Sequence, residues 1–94
     1  MAYTNLTFRQ HALQRMFERG IDAKDVRQVV EHGEVIKGYP DDKPYPSRLI
    51  LGWKKGKPLH VVAADHTVAA ETIIITVYQP DPALWNADFR SKKS

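Results

Sequence analysis

TFRQHALQRMFERG, residues 7–20, is the stretch from which the rest of the chain can be read. Phe8, Ala12, Leu13, Met16 and Phe17 recur at three- and four-residue spacing. At ~100° per residue they sweep one broad apolar half of a helix. Thr7 is a suitable N-cap, and Gly20 suits the left-handed position just past the last turn. His11, Arg15 and Arg19 follow at four-residue steps along the border of the apolar half. Neighbours so spaced lie roughly 6 Å apart along the axis, so together they make a phosphate-sized cationic rail. The same spacing also suits a solvated face on which Glu18 pairs with Arg15 or Arg19.

Working outward, DAKDVRQVVEH begins with Asp22, a helix-capping residue, and is closed by Gly33. Val26, Val29 and Val30 give this second helix its apolar stripe. Only Gly20 and Ile21 separate the two helices, so they must form a corner or hairpin. After residue 33 the period changes from helical to alternating. EVIKGY reads as a short strand, and the prolines and aspartates of YPDDKPYPS as a loop. RLILGW, LHVVAA and ETIIITVY are three further β-rich runs, the first two joined by the turn KKGKP. QPDPALW leaves the sheet through two prolines, and the ends of the chain, 1–6 and 87–94, read as flexible. The expected fold is one α+β domain over residues 1–94. Two N-terminal helices pack on one face of an antiparallel sheet of about four strands.

The composition narrows the chemistry. The chain has 94 residues, 43% hydrophobic and 27% charged, the values of an ordinary globular domain with room for one site. With no cysteine there is no disulfide, thiol catalysis or thiolate zinc site. No secretory leader pattern and no run near the ~20 apolar residues of a membrane span is present, so a cytoplasmic protein without a membrane partner is expected. A net charge of +3 permits an RNA or acidic-protein partner without demanding one. The cations cluster: Lys54, Lys55 and Lys57 in one turn, and Arg90, Lys92 and Lys93 at the end of the sequence.

His60 is the second unusual residue, set within LHVVAA where an apolar side chain or threonine is the default. If Leu59, Val61 and Ala63 face the helices, His60 points the other way. Strict alternation would place Ile73, Ile75 and Val77 inward, and likewise Leu49, Leu51 and Trp53. The non-helical face would then gather Arg48, His60, Thr76 and Tyr78, provided the register between strands allows it. A hydrogen-bonded structural histidine accounts for His60 equally well. His32 suits the last turn of its helix, and His66 reads as an exposed loop residue. No HExxH pattern, glycine-rich phosphate loop or GxSxG elbow occurs, so neither a metal nor another cofactor is expected. Tyr39, Tyr45 and Trp53 offer stacking surfaces for nucleic-acid bases or, equally, packing for the core.

The runs FRQHALQRMFERGI, GEVIKGYPDDKPYPSRLILG, PLHVVAAD and ETIIITVYQPDPALW resemble domain-of-unknown-function family 4258, over about Phe8 to Trp85. That resemblance implies, at one remove, the helices-then-sheet architecture of RelE-like toxins and related metal-independent, barnase-like ribonucleases. Such proteins are the toxin halves of toxin–antitoxin pairs, often beside a partner with a small zinc finger and a helix-turn-helix. The family's motif histidine and arginine fall on His11 and Arg15, its strand histidine on His60 and its final aromatic on Tyr78. A generic RelE-type site uses lysine and arginine with a tyrosine, whereas this chain offers histidines.

Two functions are therefore expected from different classes. One is a metal-independent ribonuclease acting on mRNA, with His11 or His60 as acid–base group, Arg15 on the phosphate and Tyr78 positioning it. Arg19, Arg48, Lys54 and Lys55 would then bind the RNA backbone. The other is a non-catalytic binding or regulatory module on the same scaffold.

Overall fold

Asp22 caps the second helix as its sequence requires. Its carboxylate accepts the Asp25 backbone N–H at 3.0 Å, and the Asp25 carboxylate accepts the Asp22 N–H at 3.0 Å. This reciprocal capping box starts α2, Ala23–His32. The first helix, α1, spans Gln10–Arg19 and ends where expected, at Gly20 with φ 65°. Its start differs from expectation. Thr7 belongs to a strand, β1 (Asn5–Phe8), and the chain enters α1 through Arg9, with no side-chain cap. These elements come from a computed structural model, which describes residues 5–93.

Four strands follow: β2 (Glu34–Tyr39), β3 (Ser47–Lys54), β4 (Lys57–His66) and β5 (Glu71–Tyr78). The sheet order is β1-β5-β4-β3-β2. The expected sheet of about four antiparallel strands is therefore a five-stranded mixed sheet, because β1 pairs in parallel with β5 along its outer edge. A four-residue strand directly before a helix has too few alternating positions to show a period, which is why it is not legible in the sequence. β3 and β4 are joined by the two-residue turn Lys55–Gly56, both at positive φ (51° and 80°), the geometry that matches the twist of a tight hairpin.

α1 packs on β5, and α2 on β3 and β4. Ala12, Met16, Val26 and Val29 meet Ile50, Leu59, Val61, Ala63, Ile74 and Val77 in one buried cluster. Two expected orientations are overturned. In β3 it is Ile50 that faces the helices, while Leu49 and Leu51 are buried on the opposite face. Gly52 explains the choice: a Cβ there would lie 2.5 Å from Val29 Cγ2, so α2 sits directly on this backbone. In β5, a bulge opposite Val62 and Ala63 leaves Ile75 as an extra residue between Thr76 and Ile74. Strict alternation fails there, and Ile74 and Val77, three residues apart, share the core.

The face away from the helices is covered by the C-terminal segment. Trp85 is buried there, and its backbone bridges to Lys92. Asn86 N–H donates to the Ser91 carbonyl, and Lys93 N–H to the Leu84 carbonyl. The residues 87–93 that read as a flexible end thus carry backbone hydrogen bonds. Among the described residues no helix is long and apolar enough to cross a membrane.

Candidate functional site

His60 lies at the centre of the covered face with no solvent exposure. Register places it directly across from Tyr78 on one side and Leu51 on the other. Its Nε2 is 3.0 Å from the Phe89 carbonyl oxygen, and its Nδ1 is 3.1 Å from the Tyr78 hydroxyl. A carbonyl can only accept, so Nε2 carries the proton and donates it to Phe89. Nδ1 of the neutral ring then accepts from the Tyr78 O–H. The ring packs edge-on against Trp85 at 4.5 Å and Tyr78 at 5.2 Å. Phe89 reaches it from a turn with φ 58°, a left-handed conformation that a bulky residue adopts only when its surroundings impose it.

Both imidazole nitrogens are thereby used. Burial pushes the His60 pKa below 6.5, and the bond to Phe89 only partly opposes this. The ring is neutral at neutral pH, with no lone pair or proton free for a substrate. The linkage sign is set by this depression. Below about pH 6.5 the unfolded chain takes up a proton that the folded ring resists, so stability is full above that pH and falls as acid is added. Urea unfolding at pH 7.5 and pH 5.5 should show a lower midpoint at the acid value. His60→Gln should flatten that difference. Glu34, whose bond from Arg90 holds its carboxyl low, loses its contribution only in the carboxylate range, at more acid pH.

Tyr78 opens on its other side into a hollow of about 460 Å³. Lys37, Arg90 and Lys92 supply its cations, and Tyr39, Tyr78 and Trp85 its aromatic walls, over a floor that includes Leu49. Lys92 Nζ stands 5.8 Å from the Trp85 ring centre and Lys37 Nζ 5.4 Å from that of Tyr39. Arg90 is held by Glu34, with Nε donating to both carboxylate oxygens at 2.9 and 3.0 Å. Burial pushes the Tyr78 hydroxyl above its usual pKa of 10, and the nearby Tyr39 adds to the effect, so the phenol stays protonated. The site is a groove of aromatic and cationic side chains, in which Arg90 is paired with Glu34 and the Tyr78 O–H is donated to His60.

The expected site residues divide between the two sides of the sheet. His60 and Tyr78 share one face and are hydrogen-bonded. His11, Arg15 and Arg19 are exposed on α1, which packs on the other face, so the sheet separates them from His60. Arg15 pairs with Glu18 at 3.6 Å, the solvated arrangement the sequence also allowed. Arg48 does not join His60. It pairs across from Ala63 of the helix-side core and bonds Asp65, whose other oxygen accepts the Thr72 hydroxyl at 2.9 Å. The inverted facing of β3 is the physical reason. Lys54 ties the helix corner to β3, with Nζ 2.9 Å from the Gly20 carbonyl and 2.7 Å from Asp25. Lys55 is at the hairpin tip. Among the described residues no group of three or more His, Asp or Glu is placed to hold a metal ion.

Sequence reasoning missed Lys37, Trp85, Arg90 and Lys92 as a site. The clustering of Arg90, Lys92 and Lys93 was its one available signal, but only folding brings that cluster to β2 and Tyr78.

The family model described as "Domain of unknown function (DUF4258)" matches residues 8–79. The chain belongs to this family. No curated protein and no solved structure shows significant similarity to it. The DUF4258 match includes His60, Tyr78, Lys37 and Tyr39. It stops before Trp85, Phe89, Arg90 and Lys92, so this chain completes the groove with residues beyond the matched region.

Proposed function

We propose that this protein binds single-stranded RNA in the groove between Tyr39, Tyr78 and Trp85. The observation that carries the reading is the convergence of three aromatic rings and three cations on one hollow of about 460 Å³. Aromatic faces take unstacked bases regardless of sequence, and lysines and arginine follow the phosphates. The volume is within the range of small-ligand sites, roughly 300–1,000 Å³. This favours the binding module over a ribonuclease built on two histidines, since His11 and His60 are on opposite faces and His60 has no free nitrogen.

A short fluorescein-labelled single-stranded RNA should bind with strong salt dependence. Lys37→Ala with Lys92→Ala should weaken it at least tenfold at low salt. The slope of log K against log salt should flatten by roughly 0.7 per lysine. Unchanged affinity and slope in the double variant would refute the groove as the RNA site.

A second reading, metal-independent RNA cleavage, is favoured by the protonated Tyr78 hydroxyl among these cations. That set resembles the lysine–arginine–tyrosine chemistry of RelE-type sites more closely than a histidine pair does. The RNA 2′-hydroxyl would attack phosphorus as one of Lys37 and Lys92, in its neutral form, takes its proton. Tyr78 would release His60 and give its proton to the departing 5′-oxygen, while the other lysine neutralises the phosphate. In this reading the chain is the toxin of a toxin–antitoxin pair acting on mRNA. Induced expression should then slow growth, and Tyr78→Phe should relieve it while RNA binding persists. Normal growth with intact RNA in the presence of purified protein leaves binding alone.

A further inference from the structure

A second hollow, of about 350 Å³, is bounded by Gln28, Val29, Glu34, Leu51 and Trp53. It adjoins the first. Glu34 lines this hollow, Arg90 lines the other, and the two side chains are bonded to each other at 2.8–3.0 Å. Phe89, the residue before Arg90, packs edge-on against Trp53 at 6.1 Å. The Glu34–Arg90 pair is thus the divide between two hollows, each with a tryptophan in its wall.

Trp53 is unusual for a strand residue flanked by a buried one, being 52% exposed. Its neighbourhood suits a nucleobase in two further ways. β2 ends its pairing with β3 at Glu34–Leu51, so among the described residues the outer edge of β3 at Gly52 and Trp53 has no strand partner. The ladder thus stops beside the exposed indole. Gln28 adds a side-chain amide that can both donate and accept. Stacking surface and hydrogen-bonding group together are what recognition of an unpaired base requires.

Building on the RNA-binding reading above, we propose that Trp53 forms a second base-binding subsite, and that Arg90 serves the phosphate linking a nucleotide in each hollow. In the free protein Glu34 occupies Arg90 as a stand-in anion. A phosphodiester lying over the divide competes for the same guanidinium, whose fork suits phosphate oxygens as well as a carboxylate. The ligand class is a dinucleotide step of single-stranded RNA, with one base on Trp53 and the other among Tyr39, Tyr78 and Trp85.

The test compares a 5′-phosphorylated ribonucleotide with the 5′-phosphorylated dinucleotide built from it, by calorimetric titration of the full chain. The wild type should bind the dinucleotide roughly tenfold tighter or more, the gain expected of one further aromatic–base stack. Trp53→Ala should remove that advantage, bringing the dinucleotide down to the affinity of the mononucleotide. Trp53→Phe should restore part of it, which a general loss of structure would not do. Equal affinities for the two ligands in the wild type overturn the proposal, as does a dinucleotide advantage that survives Trp53→Ala. That second result is also the outcome if Trp53 serves a protein partner, and the groove reading then stands. Absence of binding by either ligand and by longer single-stranded RNA overturns the groove reading as well.

Discussion

Replacing His60 with alanine is expected to lower unfolding stability by about 3 kcal/mol, seen as a fall in Tm of roughly 12–24 °C. Two effects add. Truncation removes a ring packed between Tyr78 and Trp85 and leaves a void at a fully buried position. It also strands the Phe89 carbonyl, whose hydrogen bond is made by the imidazole Nε2. The turn at Phe89 carries Arg90 and adjoins Lys92, so the groove should loosen with it, and RNA affinity should fall even where the variant remains folded. Thermal unfolding checks the first effect and RNA titration below the transition checks the second. A His60→Ala protein of wild-type Tm that lost only catalytic turnover would reverse the assignment, making His60 a reacting group instead of a structural one. With domain stabilities of about 5–15 kcal/mol, a loss of this size leaves the fold marginal.

Gly33→Ala should be damaging for a different reason. Gly33 has φ −76°, which any residue adopts, so backbone freedom is not the issue. The space is. An alanine Cβ would be 2.4 Å from the Val29 carbonyl oxygen and 2.7 Å from that of Leu51. Both are main-chain atoms, one in the last turn of α2 and one in β3, and neither can rotate away. The helix end must lift from the sheet, at a cost of about 3 kcal/mol or more. Gly38→Ala is the control, since a Cβ there meets nothing within 4 Å, and its effect should stay within about 0.5 kcal/mol. Urea midpoints of the two variants should separate clearly. If they coincide, the close approach of α2 does not determine the fold.

How much of the candidate site could be read in advance differs between its members. His60 and Tyr78 were legible as a pair on the non-helical face, because alternation along each strand is a local property and both lie on the same side of the β5 bulge. Arg48 was misplaced because β3 is apolar at Leu49, Ile50 and Leu51 alike, so its sequence does not say which face belongs to the helices. His11 and Arg15 were legible as the rim of α1, and their separation from His60 by the sheet followed from Leu59, Val61 and Ala63 facing the helices. Lys54 looked like one of a basic cluster, yet Asp25 and the Gly20 carbonyl claim it for the helix corner.

What the sequence by itself determined was everything set by period and punctuation. The two helices, with Gly20 and the Asp22 cap, and the hairpin turn at Lys55–Gly56 rest on interactions within a few residues, and the four longer strands show as alternating or apolar runs bounded by turn residues. Only the tertiary structure decided which face each strand presents, that residues 5–8 extend the sheet in parallel, and that the C-terminal segment folds across His60. Those outcomes depend on contacts between residues far apart in the chain, such as Glu34 with Arg90, His60 with Phe89 and Val29 with Gly52. TFRQHALQRMFERG remains the helix it was read to be from Gln10 onward, but its cationic rail lies on the outer side of the layer opposite the groove. The cations and rings of the proposed groove instead gather where strand residues and the last turn of the described chain meet, because only folding brings residues so distant in sequence together.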